Sequence, residues 1–565
     1  MLSRELAVRQ FELQSIDFLE SEVSRAQKEA NRDLLELIAY ELTFRQNDRA
    51  AQSLASRVMV LQKRLYPAVS RKAQKPQART TVRGPVEGYT PTDEQAEAIR
   101  LFKSGQKMKI NAYAGTGKTS TLLMLAKEAK GRGLYIAFNR DIVQSSKKKF
   151  PKSIIECRTT NGLARGAVKA RLKVSDEKLN SSANAKQLVY SLKLKAVRLD
   201  GGHLLLPETQ AFLVKETLRH FMQGGDFELS DDHFPNIAGL RRLPVGSLGA
   251  ARQYVVGLAR KAWDRMIDPK DTLPLGHDGY LKLWCLTRPR LEVDFILLDE
   301  AQDTNGVMLD LLKQQDAQIV LVGDRYQQIY DWRGAVNAMD KMDAEQEAFL
   351  TTSFRFGREI AEYATRVLLL LEESRPLRGN PLIDSRIGKN TPDAILTRTN
   401  STAIVETTEA LRSGRLPHLV GGTDELLKLL DGVEALRSGH EAYAPELIGF
   451  SGWGEVEELA ENGEAAELLP LVRLVNSNHI ADIRSALKRT VTKAESDVVI
   501  STAHKAKGKE WGNVRLARDF LRTDPDAKKS GNNILRHDEL RLYYVAVTRA
   551  QNSLEIHEDM LCQIG

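Results

Sequence analysis

Gly115-Thr116-Gly117-Lys118-Thr119-Ser120 is a run of residue types that can hold a polyphosphate. Two glycines permit a tight turn whose backbone N–H groups face an anion. The lysine reaches the β- and γ-phosphates, and the Thr119 hydroxyl can ligate Mg²⁺. Much further on, Asp299 and Glu300 follow the stretch Val293–Leu298, whose last four residues are apolar. Phosphoryl transfer gives two such carboxylates different tasks: Asp299 holds the metal that bridges the phosphates, and Glu300 orients and deprotonates the attacking water. A third apolar run, Ile319–Val322, leads through Gly323-Asp324 to Gln327, placed to sense a γ-phosphate, and then to Tyr330-Asp331-Trp332-Arg333. Trp332 is either a face on which an unpaired base stacks, worth ~1–3 kcal/mol, or a core residue, and its charged neighbours argue for exposure. Upstream, Gln95 follows Thr92-Asp93-Glu94. It either reads an adenine edge with its paired donor and acceptor or simply completes a capped helix.

These residues need strands to deliver them and helices to close over them. Met108–Ala112 suits a buried strand, and Thr121–Lys130 has the leucine spacing of a helix. Gly133–Asn139 and Ser153–Cys157 read as further strands, separated by a helix that ends in Lys147-Lys148-Lys149. Strands alternating with helices predict a parallel sheet. Residues 1 to about 66 look helical, with Leu13, Ile16, Leu19 and Val23 at spacings of three and four. Four readings of that segment stand open: an accessory domain, a partner-binding coil, a dimerisation element, or helices laid against the rest. From Tyr66 to Gly88 the composition shifts to Lys, Arg, Gln, Pro and Gly, which reads as an exposed linker able to touch phosphates.

A chain of 565 residues exceeds what one core organises, so three or four domains are expected. The net charge of +7 permits a polyanionic partner. Cys157, Cys285 and Cys562 are far apart and have no metal-ligand spacing, which fits a reducing compartment without a structural disulfide. Met1–Gln10 is too charged for a signal peptide, and no stretch is long and apolar enough to span a bilayer. A cytoplasmic address with no membrane partner is the expectation.

Together these stretches resemble the UvrD/Rep/PcrA-like branch of superfamily 1 DNA helicases, and the likeness continues to about Glu558. Leu350–Gly357 is similar to the motif whose arginine, Arg355 here, reaches the γ-phosphate from a second motor domain, with Phe354 packing near adenine. Ile395–Asn400 matches the next strand. Val499–Trp511 matches the motif that puts Thr502 and His504 near DNA and Glu510 near the ribose. Glu539–Ala550 resembles the last motif and would supply a second arginine finger, Arg549. Ala112 stands where the common phosphate-loop pattern has its first glycine, and alanine is usual in this branch. Within the branch the F-box DNA helicases look nearest, although residues 1–88 contain no recognisable F-box.

The resemblance implies an α/β fold of two RecA-like P-loop motor domains with helical insertions and an N-terminal helical region. The expected division is 1–88; 89–165 with 291–345 as the first motor domain; 166–290 as its insertion; 346–400 with 495–565 as the second motor domain; and 401–494 as a reduced insertion. ATP and Mg²⁺ are the implied cofactors. Gln95, Ala112, Gly115, Thr116, Gly117, Lys118, Thr119, Ser120, Phe354 and Glu510 would contact the nucleotide, with Thr119 and Asp299 on the metal. Glu300, Lys118, Gln327, Arg355 and Arg549 would carry catalysis, and Tyr330, Trp332, Arg333, Thr502 and His504 would meet DNA. The implied activity is ATP-driven movement on single-stranded DNA and 3′-to-5′ unwinding of tailed duplexes, with a protein partner possible through the N-terminal helices. A translocase that strips proteins from DNA and a motor subunit of a nuclease or defence complex are the alternatives. Two departures stand out. Thr159-Thr160-Asn161-Gly162 replaces the usual Thr-Phe-His-Ser, and only about a hundred residues separate Asn400 from Val499. Arg171, Lys173, Lys193, Lys195, Arg198, Arg241 and Arg242 of the first insertion either track a strand or are solvated helix faces.

Overall fold

The computed structural model describes residues 16–28, 38, 54, 57–58 and 90–564, less 138–139, 200–203, 238–239, 241–244, 331–333, 463–464, 466–467 and 523–534. Its strands, in chain order, are β1 (Met108–Ala112), β2 (Gly133–Ala137), β3 (Ile155–Thr159), β4 (Val197–Arg198), β5 (Leu204–Leu205), β6 (Phe295–Leu298), β7 (Gln318–Gly323) and β8 (Gln346–Leu350). Then come β9 (Arg386–Ile387), β10 (Ala394–Thr397), β11 (Pro417–Leu419), β12 (Val498–Thr502), β13 (Trp511–Leu516) and β14 (Ala550–Glu555).

Two six-stranded sheets result, ordered β3-β2-β6-β7-β1-β8 and β11-β12-β10-β13-β14-β9. Every neighbouring pair in both is parallel. A parallel sheet is covered on both faces, so its strands are continuous apolar runs whose alternate residues serve different cores. In the first sheet Leu134, Ile136, Ile296 and Leu298 face one core, while Tyr135, Ala137, Phe295 and Leu297 face the other. In the second sheet Ala394 and Leu396 point one way and Ile395 the other. Because all strands run alike, each sheet gathers its strand C-termini, and the loops after them, along one edge.

Several boundaries differ from the sequence reading. Strand β8 pairs with β1 in the first sheet, so that sheet extends to Leu350 and passes the expected border at 345. The loop helix begins at Lys118, three residues before the leucine pattern shows it, because its first turn is polar. The helices Pro207–Gln223, Val245–Ile267 and Gly276–Cys285 of the first insertion share one core with Ile136 and Ile296 of the sheet. The second insertion does not hang free either. Helix Asn400–Arg412 and β11 belong to the second sheet's layer, and Asp424–Arg437, Trp453–Asn462, Leu469–Ser477 and Ile480–Lys488 close a core with Ile395, Val498 and Ile500.

Two buried polar side chains hold the first insertion. The Lys282 ammonium donates to the carbonyls of Gly224 (2.8 Å) and Asp226 and lies 4.4 Å over the Phe221 ring, closing the end of helix Pro207–Gln223. Gln210 Nε2 donates to Lys195 O and Leu205 O at 2.7 Å each, and its Oε1 accepts from the Tyr254 hydroxyl at 3.1 Å. That amide fastens the antiparallel hairpin of β4 and β5 to the helix.

Of the N-terminal region, helix Ile16–Lys28 is described, with Leu19 and Val23 buried, as are Ile38, Leu54 and Val58. The linker 66–88 lies outside the described residues. Among the described residues no helix is long and apolar enough to cross a membrane.

Candidate active site between the two sheets

The loop after β1 turns on two glycines in the left-handed region, Gly115 at φ +75° and Gly117 at φ +81°. Gly117 is the N-cap of helix Lys118–Glu128, so the positive end of that helix and the Lys118 ammonium face the same space. Gly115 is also constrained from outside. A Cβ there would fall 2.5 Å from Ser353 Oγ and 2.7 Å from Arg355 Cβ. The Phe354 N–H donates to Gly115 O at 2.8 Å, so the loop after β8 lies directly on the phosphate loop. Phe354 is half exposed, and a Cβ on Gly117 would sit 3.3 Å from its ring and 3.5 Å from Gln95 Nε2. An aromatic face, a carboxamide and the loop thus bound one space.

Gln95 completes a capping box, its Oε1 accepting from Thr92 N at 3.1 Å, while its Nε2 donates to Thr121 Oγ1 at 3.2 Å. By hydrogen-bonding capacity one donor and one acceptor position remain for a base edge. Its neighbour Glu94 accepts from Thr351 N at 2.8 Å, tying this helix to the loop that carries Phe354 and Arg355.

Strand β6 delivers Asp299 and Glu300 opposite. Asp299 Oδ2 accepts from the Tyr135 hydroxyl at 2.7 Å and lies 3.5 Å from Thr119 Oγ1, and its Oδ1 accepts from Glu300 N at 2.9 Å. Burial first, and then the Glu300 charge, push Asp299 up to about 6. Burial also pushes Glu300 up, but Lys118, Lys507, Gln302 and Arg549 outweigh it and hold Glu300 below its ordinary value. Two adjacent acids are thereby driven apart, with Glu300 the one that holds its charge to lower pH. Its backbone is left-handed, φ 52° and ψ 46°, a conformation a non-glycine residue keeps only where its surroundings impose it. Gln302, fully buried, imposes part of it: Nε2 donates to Glu300 Oε2 at 2.6 Å while Oε1 accepts from Asp324 N at 3.1 Å.

Hard oxygen donors suit Mg²⁺, which takes one or two protein ligands alongside substrate phosphates and waters. The convergence of Thr119 Oγ1 on buried Asp299, whose charged form burial and Glu300 disfavour, fits such a cation.

Beyond β7, Asp324 Oδ2 accepts from Gln327 Nε2 at 2.7 Å. Gln327 Oε1 in turn accepts from Arg549 Nη2 at 3.3 Å, across from the first sheet to the second. Arg549 is buried. It also donates to Val545 O (2.7 Å) and Thr548 Oγ1 (2.9 Å), and burial followed by the nearby Arg355 charge pulls it down to about 9. Arg355 donates to Glu510 Oε2 at 2.6 Å and to Thr548 O at 2.9 Å. In this arrangement the first arginine and the acid expected at the ribose therefore hold each other.

The residues expected at DNA are placed unevenly. Trp332 and Arg333 lie outside the described residues. The Tyr330 hydroxyl donates to His504 O at 3.0 Å, and the two rings are 6.4 Å apart. Thr502 is buried and spends its hydroxyl as the cap of the turn Ala503–Ala506. Lys507 crosses between the sheets to Asp303 and Gln327 O at 2.6 Å each, with its ammonium 5.1 Å from the Tyr330 ring. It joins the Tyr330 loop to the phosphate site. In the departing stretch, Thr159 caps helix Thr160–Leu172, and Asn161 Oδ1 is buried without a hydrogen-bond partner among the described residues. Arg171, Lys173, Lys193, Lys195 and Arg198 are exposed, and Arg241 and Arg242 lie outside the described residues.

Sequence reasoning missed Gln302, Asp324, Tyr544 and Lys507. Only the repetition of polar residues directly after the acids and after β7 signalled the first two. Lys507 and Tyr544 stand inside stretches matched to the family, but their partners lie 204 and 220 residues away and leave no local mark.

Residues 280–346 match the UvrD/REP helicase N-terminal domain and residues 454–558 the UvrD-like helicase C-terminal domain. F-box DNA helicase protein 1 of Schizosaccharomyces pombe is 32% identical over 510 residues, covering 83% of this chain and 57% of that protein. F-box DNA helicase 1 of Gallus gallus is 30% identical over 512 residues, 83% of this chain and 49% of that one. A probable DNA helicase II homolog of Mycoplasma genitalium is 36% identical over 84 residues, 13% of this chain and 12% of its own. The chain spans about half the length of the first two.

Proposed function

The chain belongs to the UvrD-like helicase family, and from that premise we propose that it is an ATP-driven DNA helicase that moves 3′ to 5′ on single-stranded DNA. The observation that carries the reading is the Gln327–Arg549 contact, which makes a polar group of the first sheet and a cation of the second one unit beside Glu300. A site assembled from both sheets responds to their separation, as a motor requires.

In this reading Phe354 and Gln95 take the base, the backbone from Gly115 to Thr119 takes the phosphates, and Lys118 reaches their outer oxygens. Thr119 and Asp299 hold Mg²⁺, which when bound neutralises charge on the β- and γ-phosphates. Glu300, kept ionised and aimed by Gln302, removes the proton of the attacking water. Arg549, and Arg355 once it exchanges Glu510 for phosphate, stabilise the charge that builds on the transferred group. Loss of the γ-phosphate removes what both arginines grip, and the sheets part. Tyr330, Trp332, Arg333 and His504 form the DNA track, which changes registration as the cleft cycles, while Thr502 caps the turn that carries His504.

ATP turnover with and without single-stranded DNA, alongside strand displacement, tests this. DNA-stimulated turnover abolished by Lys118→Ala, with DNA binding retained, is the expected result, and turnover indifferent to DNA overturns it. Stimulated turnover without displacement points instead to a translocase that clears proteins.

A further inference from the structure

Tyr544 is fully buried on helix His537–Val547, five residues before Arg549. Its hydroxyl leaves its own sheet. It accepts from the backbone N–H of Ala114, next to Gly115, at 3.3 Å, and donates to Asp324 Oδ2 at 3.2 Å. That same oxygen accepts from Gln327 Nε2, and Gln327 Oε1 accepts from Arg549. Tyr544, Asp324, Gln327 and Arg549 therefore close a ring of three hydrogen bonds whose fourth side is the chain from Tyr544 to Arg549. The ring crosses the interface twice and touches the phosphate loop.

The adjacent residue shows what a merely structural tyrosine does here. Tyr543 is as deeply buried, but its hydroxyl meets Tyr363 OH at 2.8 Å within the core of the second sheet. One tyrosine is satisfied inside its own half, and its neighbour only when the halves meet.

We propose that Tyr544 is a positioning residue that sets the Gln327 carboxamide and the Arg549 guanidinium against each other when the cleft closes, an inference that rests on the helicase reading. When the sheets separate, Asp324 and Ala114 lose the hydroxyl, and Gln327 keeps only its tie to Asp324. When they meet, the phosphate-loop backbone, the γ-phosphate sensor and the finger are brought into one register. A group that acts only in the closed arrangement changes kcat and leaves ATP affinity nearly alone.

The test measures DNA-stimulated kcat and KM for ATP in wild type, Tyr544→Phe, Tyr543→Phe, Asp324→Asn and the double variant Tyr544→Phe/Asp324→Asn. Tyr544→Phe should lower kcat about ten- to a hundredfold, the range for one hydrogen bond to a charged partner, with KM within about twofold. Tyr543→Phe should leave both constants near wild type while lowering thermal stability. The double variant should lose less than the product of the single losses, because both remove one contact. Equal kcat losses in the two tyrosine variants, multiplicative losses in the double variant, or unchanged kcat in Tyr544→Phe would each overturn the proposal and leave the helicase reading standing. Absence of DNA-stimulated turnover in the wild type would instead sink both. Should Tyr544→Phe fail to fold, Asp324→Asn reads the same contact, and unchanged kcat there is also fatal.

Discussion

Asp299 and Glu300 are chemically near-equivalent neighbours, yet their surroundings shift them in opposite directions. Asp299 is raised by burial and by Glu300, whereas Glu300 is held down against burial by Lys118, Lys507, Gln302 and Arg549. In the proposed reading, replacing Glu300 by Gln removes the base but not the donors that would hold nucleotide. ATP binding should persist while hydrolysis falls about 10²- to 10⁴-fold, readable as retained fluorescent-nucleotide binding without phosphate release. Parental turnover would assign the base elsewhere. Lys282 offers a second residue-level prediction, away from the site. Burial brings its ammonium from 10.5 down to about 8, so between those values the unfolded chain holds a proton that the folded chain has released. Stability therefore rises as pH climbs through that window, by on the order of 3 kcal/mol at most. The urea midpoint of the wild type relative to Lys282→Met should shift upward between the two ends of it, and a pH-independent difference would remove the term.

Among elements, the insertions act as lids on their sheets, each sharing a core with strand residues. Small polar fasteners fix their details. Gln210 satisfies Lys195 O and Leu205 O, and takes the Tyr254 hydroxyl, inside an otherwise apolar setting. Gln210→Leu strands three groups and should cost on the order of 3 kcal/mol, seen as a lower urea midpoint. An unchanged midpoint would show that water replaces the amide. On the other side, Arg398 donates twice to Glu539 Oε1, at 2.8 and 2.6 Å, joining the loop after β10 to the helix that bears Tyr544. Glu539→Ala strips that mostly buried arginine of both those hydrogen bonds, leaving only the charges of Asp519 and Asp538 near it, and should destabilise the second sheet by about 3 kcal/mol. Loss of cooperative unfolding in that half, followed by hydrogen exchange, is the readout.

At the scale of the molecule, the two sheets meet through Gln327–Arg549, Asp324–Tyr544 and Asp303–Lys507, while the Tyr330–His504 contact lies beside the last. In the proposed reading nucleotide and DNA thus share one interface. The helicase reading predicts that duplexes with a 3′ single-stranded tail are unwound in preference to matched 5′-tailed ones in low salt. Preference for the 5′ tail would reverse the assigned direction without touching the ATPase chemistry. Binding to single strands should weaken with salt, log affinity falling by about 0.7 per phosphate contact for each unit of log salt concentration. A flat salt response would mean that the phosphates are not the main handle.

The strand, loop and helix around Lys118, the strand that ends in Asp299-Glu300 and the alternation that dictates parallel sheets are all legible in the chain itself. A phosphate loop is made of consecutive backbone N–H groups, and a doubly covered strand must be a continuous apolar run, so both leave short local signatures. The helix start at Lys118, the placement of β8 in the first sheet and the fusion of the insertions with the sheet cores left no such mark. The polar first turn hid the helix, and strand pairing and shared cores depend on partners far along the chain. The same holds for the finer machinery of the site. Gln302 can be seen to aim Glu300 only because β7 brings Asp324 N to its other end. Arg355 meets Glu510 across 155 residues, and Tyr544 meets Asp324 across 220. Such contacts form when two independently patterned halves close on each other, so the sequence determines which groups are available and only the tertiary structure decides which of them touch.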